Sequence, residues 1–274
     1  MLGQDLVAHL RSRHEVIPLV RADADITDAD AVDRAFKDSS PEAVIHAAAF
    51  TTVDRCESER DLAFQVNGQG TSNVAHACRD LNVPLLYMST DYVFDGEKKE
   101  PYVETDATCP VNAYGESKLE GEKQVRRLLE KYWIVRTSWL FGPQGRNFVG
   151  AILEQAKRGA TLRVVNDQIG SPTYTEDLAA GIEDIMEHGG PGIYHVSNQG
   201  FCSWFGFAQE ILRQIGMDPS KVIPIPSSTS SRPARRPLNS RLANARLRSE
   251  NIPLLPSWQN AVTRYLVRTK EIEV

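Results

Sequence analysis

Hydrophobic positions in the first half of the chain alternate between two spacings. Some segments carry apolar residues every three or four positions, as on one face of a helix, and others are short continuous apolar runs typical of buried strands. The predicted strands are 15–20, 43–49, 84–89 and 133–136. The predicted helices are 2–10, 27–36, 61–81 and 113–131, with Thr27 and Asp30 as a capping box for the second.

This alternation predicts βαβ units, which give a mainly parallel sheet with helices on both faces. We therefore predict an α/β fold with a doubly wound parallel sheet. Beyond Arg136 the alternation is looser, with helices predicted at 148–158, 175–187 and 203–215 and strands at 162–165, 193–196 and 221–225. The change in pattern predicts a first domain over 1–142, and a second part over 143–274 from which the chain crosses back to the first.

A Pro- and Ser-rich stretch, 226–237, is predicted to be a loop. Two interpretations stay open. The loop is a flexible linker, or it closes over a phosphorylated ligand that Arg235 and Arg236 bind in bidentate fashion.

The composition of the chain excludes two classes of function. The 274 residues are 41% hydrophobic and 24% charged, as in an ordinary globular protein, and the net charge of −5 argues against nucleic-acid binding, which requires a basic surface. The apolar runs are too short to span a bilayer and no signal peptide pattern opens the chain, so we expect a cytoplasmic protein with no membrane partner.

The four cysteines and six histidines show no metal-ligand spacing, so the sequence predicts no metal site. His46 lies inside an apolar run and is interpreted as a packed residue.

The most informative pair is Tyr114 and Lys118, four residues apart in a predicted helix. Residues at this spacing share one helical face, so the phenol and the ammonium can face the same cleft. A cation beside a tyrosine lowers its pKa, which makes Tyr114 a candidate proton donor to a carbonyl. The same spacing also occurs by chance on many helices.

Three predicted strands end in residues suited to ligand binding: small residues and a threonine at 47–51, Ser-Thr-Asp at 89–91 and Thr-Ser-Trp at 137–139. Ligands of parallel α/β sheets bind beyond the carboxyl ends of the strands. Each segment alone is also explained by packing or by a turn. Their occurrence at successive strand ends, followed by Tyr114 and Lys118, favours a site.

An ordered set of motifs resembles the dTDP-4-dehydrorhamnose reductase family of extended short-chain dehydrogenases/reductases, over nearly the whole chain. The motifs are AAAFTTVD at 47–54, VN at 66–67, STDYVFDG at 89–96, PVNAYGESK at 110–118, RTSW at 136–139, NF at 147–148, DQIGSPT at 167–173 and RPLNS at 236–240. The resemblance implies a Rossmann-like first domain that binds a dinucleotide and a second part that binds substrate.

The implied reaction is reduction of the C4 ketone of dTDP-4-dehydro-6-deoxy-L-mannose by NADPH or NADH, giving dTDP-L-rhamnose for cell-surface polysaccharide. Tyr114 would protonate the developing alkoxide, Lys118 would bind the nicotinamide ribose and lower the pKa of Tyr114, and Thr90 would bind near the carbonyl. The other implied cofactor-binding residues are Met1, Leu2, Gly3, Arg21, Asp25, Ile26, Ala49, Phe50 and Thr51. The implied substrate-binding residues are Thr90, Asp91, Trp139, Asn147, Gln168 and Arg236.

Val20-Arg21 stands where NAD-binding relatives often have an acidic residue, which favours NADPH because arginine accommodates a 2′-phosphate; Arg21 is equally well explained as a solvated loop residue. Some relatives form homodimers that hold Mg²⁺, so a homodimer and a bound Mg²⁺ are open expectations. Family members open with a strand and a glycine-rich turn, and Met1-Leu-Gly3 aligns with the last glycine of that turn. We expect the sequence to start at an internal methionine of a longer reading frame, the alternative being a natural variant with impaired cofactor binding.

Two alternatives stay open. A nucleotide-sugar dehydratase or epimerase would share the fold, but dehydratases place two acidic residues after the strand-end threonine, whereas Asp91-Tyr92 follows Thr90 here. A non-catalytic regulatory subunit, like the β subunit of methionine adenosyltransferase, resembles the same family. Another nucleotide-sugar reductase also fits, because one methyl or hydroxyl group in an apolar pocket changes discrimination by only ~1–3 kcal/mol.

Overall fold

The computed structural model describes residues 1–229 and 231–273. The helices are α1 Leu2–Leu10, α2 Ala29–Ser39, α3 Val53–Ser58, α4 Arg60–Phe64, α5 Thr71–Asp80, α6 Ala113–Leu128, α7 Phe148–Lys157, α8 Thr175–His188, α9 Trp204–Gln214, α10 Ala245–Ser249 and α11 Trp258–Arg268. The strands are β1 Val44–His46, β2 Leu85–Thr90, β3 Tyr132–Thr137, β4 Leu140–Phe141, β5 Leu162–Val165, β6 Ile169–Gly170, β7 Thr173–Tyr174, β8 Gly192–His195, β9 Cys202–Ser203 and β10 Val222–Ile225.

The main sheet has the strand order β1-β2-β3-β8, and every pair in it is parallel. Thr90 is paired with Thr137, and Ser89 with Arg136, so β2 and β3 end side by side. Strand β8, from the second half of the chain, returns to this sheet beside β3. The carboxyl ends of these strands therefore form one edge, where such sheets bind ligands.

Alternate side chains of β2 enter different hydrophobic clusters. Leu85 and Tyr87 pack with α2, α5 and α6, whereas Leu86 and Met88 pack with α1 and α8. Because successive residues of a strand point to opposite faces, this fully buried strand needs apolar residues at consecutive positions, as the sequence has. Helices cover both faces, and the predicted doubly wound α/β fold is confirmed.

The second half of the chain has its own hydrophobic cluster, formed mainly by α7, α9, α11 and the strands between them. Two-stranded sheets join β5 to β10, β4 to β7 and β6 to β9. The β6–β9 pair is antiparallel and pairs Gly170 with Cys202. The β4–β7 sheet lies close to the carboxyl edge of the main sheet, since β4 follows β3 directly in the chain.

The predicted strand 15–20 is wrong. The segment has no regular structure, and Ile17, Leu19 and Val20 are exposed. Within the described residues no strand pairs with it, and an apolar run without a neighbouring strand has no partners for its backbone hydrogen bonds.

Two helix predictions need correction in detail. The predicted helix 61–81 is divided into α4 and α5 by a π-helical segment, Gln65–Gly70. Helix α2 is capped by Asp28, which accepts from the Ala31 backbone N–H, whereas the Thr27 hydroxyl donates to Asp25. In the predicted loop 226–237, Ser227–Thr229 form a 3-10 turn and Ser230 lies outside the described residues. Across the described ranges, no helix is both long and apolar enough to cross a membrane.

Candidate active site

Helix α6 carries the principal candidates at its first turns. The helix begins at Asn112, whose side chain accepts from the Gly115 backbone N–H at 2.8 Å. Gly115 lies against the Tyr92 carbonyl, because an added Cβ would be 2.1 Å from that oxygen. Only glycine lets the helix start approach the loop after β2 this closely. The sequence Asn-Ala-Tyr-Gly thereby brings Tyr114 to the end of β2.

Tyr114 lies in a group formed by the ends of β2 and α3. Its ring packs edge-on against Tyr92, with centroids 5.9 Å apart, and Phe50 and Cys56 belong to the same apolar cluster. Burial raises the pKa of the Tyr114 phenol, a hydrogen bond with Thr90 opposes the rise, and the negative charge of Asp91 adds to it. The expectation of a lowered pKa for Tyr114 is therefore wrong.

Lys118 explains this difference. Its ammonium lies over the ring of Tyr87, with Nζ 4.1 Å from the centroid, and burial is the largest effect on the pKa of Tyr114. Burial lowers the pKa of Lys118 to about 7, and the charge of Glu122 opposes that change. The shared helical face was predicted correctly, but spacing does not determine where each side-chain end lies.

Glu122 stands one turn beyond Lys118 and is buried against the sheet. Its carboxylate accepts from Arg136 Nε at 2.9 Å, from Arg136 Nη2 at 2.7 Å and from the Ser89 hydroxyl at 2.5 Å. Ser89 and Arg136 are paired positions of β2 and β3. This network fixes α6 to the two strands immediately before they reach the site.

Thr90 and Asp91 occupy the end of β2. The Thr90 hydroxyl donates to Asp91 Oδ1 at 3.0 Å and accepts from the Tyr92 backbone N–H at 3.2 Å. Burial raises the pKa of Asp91 to about 7, and hydrogen bonds from Ser240 and Thr90 oppose the rise. A phenol, a hydroxyl and a carboxyl group thus meet at this strand end, which is a set that can hold and donate protons.

The segment after β1 contains Ala49, Phe50 and Thr51. Asn67 holds it in place, since its side chain accepts from the Phe50 backbone N–H at 2.8 Å and donates to the Phe50 carbonyl at 3.0 Å and to the Ser117 hydroxyl at 2.9 Å. Asn67 therefore links this segment to α6. Thr51 is exposed, and Ala49 and Phe50 are half-buried, so the segment is accessible to a ligand.

Met1, Leu2 and Gly3 form the start of α1. No side chain caps this nine-residue helix, and a Cβ added at Gly3 would meet no described atom within 4 Å. A helix N-terminus suits an anionic group such as a pyrophosphate. The residues present here and at 49–51 fit the phosphate-bearing part of a dinucleotide.

Arg21, Asp25 and Ile26 lie in the turn before α2. Arg21 Nε donates to Asp25 Oδ2 at 2.8 Å while its side chain is 83% exposed, so the guanidinium remains accessible. Asp25 also accepts from the Thr27 backbone and hydroxyl, which lower its pKa. Ile26 is half-buried against Gly70, and its carbonyl accepts from Asn73.

Trp139 follows β3 and stacks on Trp204, with centroids 3.5 Å apart and planes 8° from parallel. Gln168 is half-buried in the segment before β6. Asn147 caps α7, accepting from the Gly150 backbone N–H at 3.0 Å and donating to the Gly142 carbonyl at 2.8 Å. The side chain of Asn147 thus has structural partners at the start of α7.

Arg236 forms a bidentate ion pair with Asp54, at 2.8 and 2.9 Å. Asp54 also accepts from the Ala234 backbone N–H, and Asn112 donates to the Arg235 carbonyl at 2.8 Å. The predicted loop is therefore attached to α3 and to the start of α6. Arg236 lies at the site, where it binds the Asp54 carboxylate and not the phosphate group that the sequence suggested.

Sequence reasoning missed several residues of this site, namely Asp54, Tyr87, Glu122, Gly170 and Trp204. The sequence contains a feature that could have identified Glu122, because this residue continues the four-residue spacing of Tyr114 and Lys118. No sequence feature could have identified Trp204, since its contact with Trp139 joins positions far apart in sequence.

One group of possible metal ligands is present in the described residues, formed by His14, Glu183 and Glu187. The guanidinium of Arg13 lies 3.1 Å from Glu183, and His9 also contacts that carboxylate at 2.8 Å. A cationic side chain therefore already faces this cluster, whose histidine follows α1 and whose two glutamates lie on α8.

The chain matches the family model described as RmlD substrate binding domain over residues 1–271. It is 38% identical to a dTDP-4-dehydrorhamnose reductase of Burkholderia thailandensis, over 95% of this chain and 93% of that protein. It is also 38% identical to a dTDP-4-keto-6-deoxy-D-glucose reductase of Streptomyces niveus, over 96% of this chain and 92% of that protein. The crystal structure of a Bacillus anthracis dTDP-4-dehydrorhamnose reductase in complex with NADP is 40% identical, with a TM-score of 0.95, covering 98% of this chain and 95% of that one.

Proposed function

The chain belongs to the RmlD substrate binding domain family, and from this membership and the geometry of the site we propose that it reduces the C4 ketone of dTDP-4-dehydro-6-deoxy-L-mannose to dTDP-L-rhamnose with NADPH. The observation that carries the proposal is the meeting of Tyr114, Thr90 and Asp91 at the carboxyl edge of the sheet, one turn of α6 from a buried lysine.

Tyr114 is the proton donor in this proposal. NADPH supplies the hydride that arrives at C4, and the ketone oxygen then accumulates negative charge. The raised pKa of Tyr114 keeps its phenol protonated near neutral pH, which is the form a donor requires. The Thr90 hydroxyl hydrogen-bonds with that phenol and stabilises it when it becomes a phenolate.

Lys118 lies one helical turn from Tyr114, in the same helix. Its ammonium and the Tyr114 hydroxyl share Tyr87 as a neighbour, since Lys118 lies over the Tyr87 ring and a charge on Tyr114 shifts the pKa of Tyr87. We assign Lys118 to the nicotinamide ribose. Its burial means that a bound dinucleotide, by adding hydrogen-bond acceptors, favours the charged amine.

The remaining assignments divide the chain near residue 142, with the dinucleotide on 1–142 and a mainly substrate-binding part over 143–274, while Thr90, Asp91 and Trp139 of the first part also contact the substrate. Met1, Leu2 and Gly3 suit the pyrophosphate. The other cofactor contacts are Asp25, Ile26, Ala49, Phe50 and Thr51, with Arg21 exposed to meet a 2′-phosphate. The proposed substrate contacts are Thr90, Asp91, Trp139, Asn147, Gln168 and Arg236.

Arg236 requires a change of partner to bind the substrate. Its bidentate pairing with Asp54 has the geometry that a diphosphate also offers, so exchange of carboxylate for phosphate preserves two hydrogen bonds. The loop that carries Arg236 is tied to Asn112, beside Tyr114. Binding of the diphosphate to Arg236 would therefore affect the start of α6, next to the proton donor Tyr114.

A second substrate is supported by the Streptomyces niveus relative, which is named for a 4-keto-6-deoxy-D-glucose sugar. The two sugars differ in configuration and present the same C4 ketone. A panel of dTDP- and GDP-linked 4-keto sugars would rank them by kcat/KM.

The proposal is tested by following NADPH absorbance after addition of the dTDP-linked 4-keto sugar. Consumption of NADPH with formation of the 4-hydroxy product supports it. Folded protein that binds NADPH and consumes none with any sugar of the panel contradicts it, and tight binding to another protein would then favour the regulatory-subunit alternative.

A further inference from the structure

Trp139 has an unusual backbone for its residue type. Its φ is +48°, whereas the other non-glycine residues with positive φ in the described chain are serine, asparagine or lysine. A bulky residue in this left-handed region is strained, and such strain persists where the surroundings fix it, often at ligand sites. The indole lies against Gly170 of β6 and against Trp204, which directly follows β9.

Both faces of the Trp139 indole are covered. Trp204 lies against one face, with centroids 3.5 Å apart and planes nearly parallel. A Cβ added at Gly170 would lie 2.4 Å from Cε2 and 2.7 Å from Cζ2 and Nε1. A position nearer to Cε2 than to both of its ring neighbours lies above the ring and not beside it. The stacked Trp204 ring leaves no room for that position on its own face, so Gly170 covers the opposite face.

The covering residues belong to one structural unit. Gly170 pairs with Cys202 in the antiparallel β6–β9 ribbon, and Trp204 follows two residues later at the start of α9. Phe148 packs against Trp204, with centroids 4.6 Å apart. The Trp139 carbonyl accepts from the Thr173 backbone N–H at 3.2 Å. Ribbon, helix and backbone therefore hold the indole in one orientation.

We propose that Trp204 and Gly170 are positioning residues that hold Trp139 so that the edge of its indole, and not its face, contacts the keto sugar. The inference rests on the proposed function. Trp139 lies two residues beyond Thr137, which is paired with Thr90, so it follows the strand end next to the one that carries Thr90. The edge of an aromatic ring is electropositive, which suits oxygen atoms of the sugar rather than its C–H surface.

The test compares Trp204→Ala, Trp204→Phe and Gly170→Ala with the wild type, and uses Trp133→Phe as control. Trp133 donates to the Gly189 carbonyl at the opposite end of β3 and has no part in the site. The readouts are the Kd of the dTDP-linked sugar with NADP⁺ bound, the KM values of sugar and NADPH, and near-ultraviolet circular dichroism of the stacked indoles.

We expect Trp204→Ala and Gly170→Ala to raise the Kd and KM for the sugar about tenfold to a hundredfold, with the KM for NADPH unchanged. Trp204→Phe, which keeps an aromatic face, should have a smaller effect and serves if the other variants fail to fold. The near-ultraviolet circular dichroism signal of the stacked indoles should be lost in Trp204→Ala. In the wild type, the same signal should change when the sugar binds.

Unchanged sugar binding in a folded Trp204→Ala or Trp204→Phe protein, with an active wild type, overturns the inference and leaves the proposed function intact. A wild type that binds the sugar without reducing it contradicts the proposed function alone. A wild type that does not bind the sugar contradicts both.

Discussion

The ammonium of Lys118 lies 4.1 Å from the centre of the Tyr87 ring and one helical turn from Tyr114. Tyr87 is fully buried, its hydroxyl lies 3.3 Å from the Lys118 carbonyl, and Gly121 provides space for it, since an added Cβ there would be 2.3 Å from that hydroxyl. An aromatic face partly compensates a buried cation. Tyr87 thus keeps Lys118 within the sheet–helix interface, and Glu122 supplies the nearest opposite charge that affects its pKa.

The pH dependence of catalysis should follow Lys118. Its pKa of about 7 predicts that kcat/KM for NADPH, which reports the free enzyme, falls as pH rises above about 7 and the amine loses its charge. Glu122 raises that pKa, so Glu122→Gln should move the fall to lower pH. Glu120→Gln, on the exposed side of the same helix, is the control. An unshifted profile in Glu122→Gln would contradict this role.

The buried pair of Glu122 and Arg136 should show strong coupling in stability. Arg136→Met leaves the Glu122 carboxylate buried without its cation, which should reduce the free energy of unfolding by about 3–5 kcal/mol. The double variant Glu122→Leu/Arg136→Met should lose less than the single variant, because no unpaired charge remains. Urea unfolding measures both.

An exposed ion pair serves as the comparison for the stability loss of the buried pair. Lys157 pairs with Glu271 while 59% exposed, so Lys157→Met should cost less than about 1 kcal/mol. Equal losses for the buried and exposed single variants would show that the Glu122–Arg136 network is not what fixes α6 to the sheet.

Asp91 should make the fold less stable as pH rises from 3.8 to about 7. Its folded-state pKa is raised, so in this window the folded protein holds a proton that the unfolded chain has lost, and stability decreases with rising pH. The largest possible contribution is about 1.4 kcal/mol per pH unit. The difference in unfolding free energy between wild type and Asp91→Asn, measured across this window, should decline with pH, and a constant difference would contradict the raised pKa.

The part of the site on α6 could be predicted because local signals define it. Asn112 caps the helix, the Tyr114–Lys118 spacing places both residues on one face, and β2 is a continuous apolar run. These features depend only on neighbouring residues. The predicted division near residue 142 stays a prediction.

The rest depends on contacts between distant segments. The pKa of Tyr114 rises because α3 and the end of β2 bury it, and Arg236 meets Asp54, which is far away in sequence. The apolar pattern of 15–20 suggested a strand, but a strand forms only beside a partner. The residue pattern therefore predicted which residues form the candidate site, but not where the ends of their side chains lie.

The most direct test of Tyr114 as proton donor is a single-turnover measurement of NADPH oxidation by the dTDP-linked 4-keto sugar. Tyr114→Phe should slow the step by roughly 10²–10⁴-fold with unchanged NADPH affinity, because only the proton-donating hydroxyl is removed. Tyr132→Phe, at the start of β3 and away from the site, should match the wild type. A Tyr114→Phe protein that oxidises NADPH at the wild-type rate would contradict the account.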